Sequence, residues 1–182
     1  MATPQAKGTA LVDLVKLARQ NVAVFESVLP PATRGVVVQR ILPTSWYPEE
    51  HLRDLLVAID KVRGKGDLQS CVQLGRQSAQ KDLSGVYRTG LVAGNPQATL
   101  ASFPTLWQLY HDTGAVKVEK LGPQQASLTL RDHGLPSRAL CLVTVGWIAE
   151  AVALSGGKAT RVHEDACRSL GGTICVFRAS WS

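Results

Sequence analysis

The hydrophobic pattern of this chain changes period at Gly114, and that change limits the folds open to it. Before Gly114 apolar residues recur at helical intervals, as where Leu52, Leu55, Leu56, Ile59 and Val62 line one side of a segment closed by Gly64 and Gly66. After it they alternate. Val116 and Val118 stand against Lys117 and Glu119, and Ala126, Leu128 and Leu130 against Ser127, Thr129 and Arg131, with Gly122-Pro123 as the turn between. Arg138 to Ser155 returns to helical spacing, and Ala159 to Glu164 and Thr173 to Trp181 alternate again. The order is helices, strand, strand, helix, strand, strand. Such a chain can bury both kinds of apolar face by laying helices on one side of a sheet. The expected class is therefore α+β: N-terminal helices followed by a ββαββ unit, with an antiparallel four-stranded sheet packed on helices. No internal repeat or long linker divides the 182 residues, which read as one domain over 1–182 with residues 1–7 as a disordered lead.

Within the helical part, Leu11, Leu14, Val15 and Ala18 suit a helix over Thr9 to Arg19. Asn21 caps Val22 to Leu29, Pro30-Pro31 interrupts, and Ala32 to Leu42 starts again with Pro31 near its first position. Residues 43–48 read as a turn before the amphipathic helix, on which Glu49, Glu50, Arg53 and Asp54 are expected to face water. Leu68 to Gln80 and Leu83 to Val92 are two further helices. One more starts at Asn95-Pro96 and runs to Thr113. Its face of Leu100, Phe103, Leu106, Trp107 and Tyr110 is the richest aromatic surface of the chain.

Composition narrows the functional classes. A hydrophobic content of 45% with 19% charged residues suits a soluble globular protein, and no apolar run approaches the length that spans a bilayer. Residues 1–30 lack the pattern of a secretory signal, so a cytoplasmic location is expected. The net charge of +6 is scattered, its densest group being Lys61, Arg63 and Lys65, with no basic stripe interleaved with aromatics; nucleic acid is not an expected partner. Catalysis is poorly indicated too. His51, His111, His133 and His163 fall on a helix, a helix end, a turn and a strand, with no nucleophile and base in array, and each reads as a surface or hydrogen-bonded histidine. The chain is not expected to be an enzyme.

The last forty residues carry the most chemistry. Period two puts Thr173, Cys175, Phe177, Ala179 and Trp181 on the buried face of the final strand. The terminal hairpin brings Glu164, Cys167 and Cys175 near one another, and Cys141, in the first turn of the preceding helix, can approach from above. A helix N-terminus favours the thiolate that a metal needs. Two readings stay open on residues alone: cysteines packed in a core, or a metal site without a Cys-x-x-Cys pair. Cys71 stands apart on a helix and reads as core, while alternation turns His163 away from the face that carries Glu164.

Cys141, Gly146-Trp147, Glu164-Asp165-Ala166-Cys167, Gly171 and Cys175 together resemble the closing motif of the 4-vinyl reductase domain, over residues 138 to 181. That family shares its fold with the TRAPP trafficking subunits and has a distant kinship with the haem-NO-binding domains. The resemblance to its phenol-responsive sensor domains implies a zinc ion on Cys141, Glu164, Cys167 and Cys175, structural because four protein ligands leave no open position. It also implies a homodimer and one of two roles. The first is a sensory domain binding a small hydrophobic ligand between the aromatic helix face and the sheet, lined by Phe103, Trp107, Tyr110 and Trp147. Val162 stands where those sensors carry an aromatic residue, so phenol itself is not expected. The second is a TRAPP-like scaffold meeting a protein partner through an exposed apolar face of Trp46, Tyr47, Leu52 and Leu56. Haem, with His111 as axial ligand, is not expected, because no recognisable haem motif accompanies that histidine.

Overall fold

The computed structural model describes residues 3–182; Met1 and Ala2, the start of the expected lead, lie outside the described residues. The rest of that lead is not disordered. Gln5–Lys7 forms strand β1, paired antiparallel with β2 (Trp46–Pro48) inside the stretch read as a turn. Strands of three residues carry too little alternation to be read locally, and each exists only because the other is there.

Five helices follow the expected course: α1 (Gly8–Ala18), α2 (Val22–Val28), α3 (Pro31–Val38), α4 (Glu49–Arg63) and α5 (Ser70–Ser84). α3 stops short of Leu42 because the Arg19 guanidinium takes the Val37 and Gln39 carbonyls at 2.6 and 2.5 Å, giving the helix end its acceptor partners. Leu83 and Ser84 belong to α5, so the separate helix expected over 83–92 shrinks to a single 3₁₀ turn at Arg88–Gly90. The aromatic helix is two pieces, α6 (Pro96–Ala101) and α7 (Phe103–Tyr110). Pro104 explains the break: it has no N–H to give, and its ring crowds the carbonyl of Leu100 one turn earlier.

The second half matches the pattern. β3 (Ala115–Gly122) and β4 (Gln125–Arg131) form a hairpin, α8 (Arg138–Leu154) crosses back, and β5 (Arg161–Ala166) and β6 (Cys175–Ser180) form a second hairpin. The sheet runs β3-β4-β6-β5, antiparallel throughout, so the class is α+β as expected. β4 lies inside the sheet, and even its polar Ser127 and Thr129 are buried.

α8 is the pivot of the molecule. Apolar on most of its circumference, it contributes Trp147, Ile148, Ala151 and Val152 to a core under the sheet, and Ala139, Leu140 and Leu142 to a second core among α1 to α5. It packs on α5 almost backbone to backbone, with Gly75 set against the Val143 carbonyl and Gly146 against the Val72 carbonyl. No helix of the described residues is long and apolar enough to cross a membrane.

Two expectations about α4 fail together. Glu49 is fully buried and Asp54 nearly so, the latter accepting from Thr33 Oγ1 at 2.6 Å and pairing with Arg53 at 2.8 Å. Leu52 and Leu56 are buried as well, so the exposed apolar face proposed for a scaffold is not there. Trp46 alone of that group is exposed, with the Lys7 ammonium 4.3 Å above its ring.

Candidate metal centre and cavity

The terminal hairpin and the start of α8 bring Cys141, Glu164, Cys167 and Cys175 together. One donor atom from each lies within 4.8 Å of all the others. Cys141 Sγ is 3.7 Å from Cys175 Sγ and 3.6 Å from Cys167 Sγ, far too long for a disulfide at ~2.05 Å. Thiolates held ~2.3 Å from one tetrahedral zinc ion would stand about 3.8 Å apart, close to the observed spacing. All three cysteines are buried, and so is the side chain of the half-buried Glu164. Arg138, also from the first turn of α8, pairs with Glu164 Oε2, which leaves Oε1 buried and without a partner. Cys175 is the acidic member, its thiol pulled below the ordinary value by the hydrogen bond shared with Cys141 and by the Arg168 backbone N–H at 3.4 Å. Cys141 is correspondingly pushed up, since it holds the shared proton beside Cys175 in a buried place. His163 is exposed and pairs with Asp165, on the face opposite Glu164. Cys71 is buried alone, its thiol raised to about 12 first by burial and then by Asp60.

A cavity of about 100 Å³ lies at the seam of the two cores. Phe103, Trp107, Tyr110 and Trp147, the four residues singled out from sequence, all line it. The opposite wall is not the sheet, as expected, but helices: Leu14 of α1, Leu52 and Leu56 of α4, Leu74 of α5 and Val143 of α8. The reason is the breadth of the aromatic face. Phe103 and Trp107 of α7 belong to the core under the sheet and also line the cavity toward the N-terminal helices, with Phe103 packed edge-on against Trp147 at 5.2 Å. Polar groups are few. The Tyr110 hydroxyl donates to Asp82 at 2.5 Å, and Ser78 donates to the same carboxylate oxygen at 3.0 Å. Burial first, and Asp82 next, push the Tyr110 hydroxyl upward, so it stays a proton donor.

One cluster escaped sequence reasoning. Glu49 Oε1 accepts from His111 Nδ1 at 2.5 Å and from His133 Nε2 at 2.9 Å. Glu49 opens α4, His111 follows α7, and His133 sits in the turn between β4 and α8. Burial opposes the charge on Glu49, yet the two histidine bonds hold its carboxyl down at about 2. Trp107 stacks on His111 at 4.1 Å and meets His133 edge-on at 5.2 Å. β1 positions the group: His111 bridges Ala6, and Glu49 N–H donates to the Pro4 carbonyl at 2.9 Å. The only sequence signal was the coincidence of an acidic residue and two histidines beside turns, and nothing local joins them. A small cleft of about 10 Å³ separates this group from the cysteines, with His133 on one wall and Cys141 and Cys175 on another, and Arg168 donates across it to the His133 carbonyl at 2.5 Å.

The fold is the α+β arrangement seen in the H-NOX proteins. The Fe(II) unliganded H-NOX protein of K. algicida, in a mutant form, superposes with a TM-score of 0.72 at 12% identity, over 97% of this chain and 96% of that one. A structure probing heme distortion in the H-NOX family gives 0.71 at 13%, over 97% and 95%. An oxygen-binding H-NOX domain related to soluble guanylate cyclases gives 0.67 at 14%, again over 97% and 95%. At these identities the likeness speaks for the fold. The chain itself belongs to the family described as protein of unknown function, DUF2378, whose model matches residues 40–182. No curated protein matches the sequence. The expected likeness to haem-NO-binding domains is thus present in the fold, and the family shown is DUF2378.

Proposed function

We propose that this chain is a non-catalytic sensory domain that binds a small apolar molecule in the cavity at the seam of its two cores, with a structural zinc ion holding the terminal hairpin to α8. The observation that carries the reading is the cavity itself. It is lined by aromatic and aliphatic side chains from α1, α4, α5, α7 and α8, so an occupant would touch both cores at once and shift how they pack. The fold shared with an oxygen-binding H-NOX domain supports a binding role. Haem does not fit the site. About 100 Å³ is well below the ~300–1,000 Å³ of ordinary ligand pockets and near the ~150 Å³ of a cavity that takes benzene. The indole of Trp107 lies flat against His111, Glu49 holds its Nδ1, and the cavity lining offers no Lys or Arg to a pair of propionates.

The geometry of the cysteine site supports the zinc reading. Sulfur spacings of 3.6 and 3.7 Å match a tetrahedron edge, and a buried carboxylate oxygen without a partner stands among them. Cys141, Glu164, Cys167 and Cys175 would hold the ion, and Arg138 would orient Glu164 from behind. Bound there, zinc would supply cross-linking in place of the disulfides the chain lacks. The test has two arms. Metal content of protein purified without chelator should include zinc that Cys175→Ser removes; zinc-free wild-type protein would sink the metal arm. Benzene or a similar small aromatic should raise the melting temperature and quench Trp107 and Trp147 fluorescence. If no apolar compound of that size does so, the cavity is packing space and the sensory reading fails.

A further inference from the structure

We infer that Glu49, His111 and His133 form a second metal site, distinct from the cysteine cluster and suited to a divalent first-row transition ion with open coordination positions. Two independent observations carry it. The first is geometric: two imidazole nitrogens and a carboxylate converge within 4.8 Å from three separate segments, with His nitrogens 2.5 and 2.9 Å from one oxygen. Ligands held at ~2.0–2.2 Å around one ion stand about 3 Å apart, so small side-chain adjustments would seat a metal. The second is a deficit. Glu49 is fully buried, its Oε1 takes both histidines, and its Oε2 has no partner at all. A buried carboxylate oxygen left bare is costly, and a cation removes that cost.

The surroundings fit the same reading. Two histidines and one carboxylate are a donor set of borderline hardness, the set typical of iron(II) or zinc sites that keep positions free for an outside ligand. Trp107 clamps both rings, which fixes their orientation as outer groups do in metal sites. His111 also lines the large cavity, which places the group at its edge.

The inference does not rest on the zinc reading of the cysteines, and one experiment separates them. Metal-free full-length chain is loaded with Co(II) and examined by metal analysis and X-ray absorption, alongside Glu49→Gln and the Cys141→Ser/Cys175→Ser pair. The expected result is nitrogen- and oxygen-bound cobalt that persists in the cysteine variant and is lost in Glu49→Gln. Should only sulfur-bound cobalt appear in the wild type, or should Glu49→Gln retain the nitrogen- and oxygen-bound ion, the triad is a hydrogen-bonded knot and the inference is overturned. Cobalt in the nitrogen and oxygen site with none on sulfur would uphold the triad and sink the cysteine site instead. Should Glu49→Gln fail to fold, His133→Gln takes its place and is expected to lose the nitrogen- and oxygen-bound cobalt in the same way.

Discussion

Replacing Gly146 with alanine should loosen the contact on which both cores depend. A Cβ on Gly146 would fall 2.8 Å from the Val72 carbonyl carbon and 3.1 Å from Arg76 N, and closer still to the Val72 oxygen. Ordinary contacts lie at ~3.5–4.0 Å, so α5 and α8 must separate by about 0.7 Å or more. Every obstacle is backbone, and no side chain can turn aside. Overpacking of this kind costs about 1–3 kcal/mol, and rigid helices belong at the upper end. Alanine returns ~1 kcal/mol of helix propensity, leaving a net loss of about 2 kcal/mol, or ~4–8 °C in melting temperature for a chain of this size. The control is Gly35→Ala in α3, where a Cβ would meet only Gln39 Nε2, at 3.4 Å; propensity should dominate there and raise stability by up to ~1 kcal/mol. Urea denaturation of both variants measures the difference. If Gly146→Ala is as stable as Gly35→Ala, the backbone contact between α5 and α8 is not what sets their spacing.

Other outcomes can be stated more briefly. Cys167→Ser should remove zinc and loosen the β5–β6 hairpin, whereas Cys71→Ser, buried on its own, should leave metal content unchanged; metal analysis checks both. Phe103→Ala should lower stability by about 3–5 kcal/mol, and benzene should restore more of the melting temperature in that variant than it adds to wild type; equal shifts would place the binding elsewhere. Asp60 ties α4 to the start of α5 through Leu68 N at 2.8 Å and Ser70 Oγ at 2.5 Å. Burial would raise its pKa, but those bonds hold it below the ordinary carboxylate value. Its contribution is therefore full above pH ~4 and is lost as pH falls through the lowered value. Asp60→Asn should cost about 1–3 kcal/mol at neutral pH, with a gap from wild type that narrows below pH ~4; a gap that widens on acidification would contradict the assignment.

Much of the architecture was legible because each long element carries its own period. The switch at Gly114, the apolar circumference of α8 and the alternation that turns Cys175, Phe177 and Ala179 inward are properties of contiguous residues, and the structure keeps them. The four aromatic residues of the cavity were legible for the same reason, each on a helix whose buried face is marked, whereas the cysteine cluster was named from the closing motif. The pairing of β1 with β2 was not legible, since three residues do not make a pattern. Pro104 should have been read as a break, and the strong apolar face on both sides of it hid the consequence.

Glu49 shows the limit most clearly. At the first turn of an amphipathic helix, after a proline, an acidic residue reads as a solvated partner of the helix dipole. Its burial comes from β1 closing over β2, from the turn after β4 delivering His133, and from the end of α7 delivering His111. The sequence by itself determined which elements form and which faces they bury, because backbone geometry ties side-chain direction to local spacing. Only the tertiary structure decided what meets across those faces: a cavity walled by helices and not by the sheet, two helices in contact at Gly75 and Gly146, and a carboxylate joined to two distant histidines. Those contacts depend on how far elements approach and where short strands pair, and no local period records either.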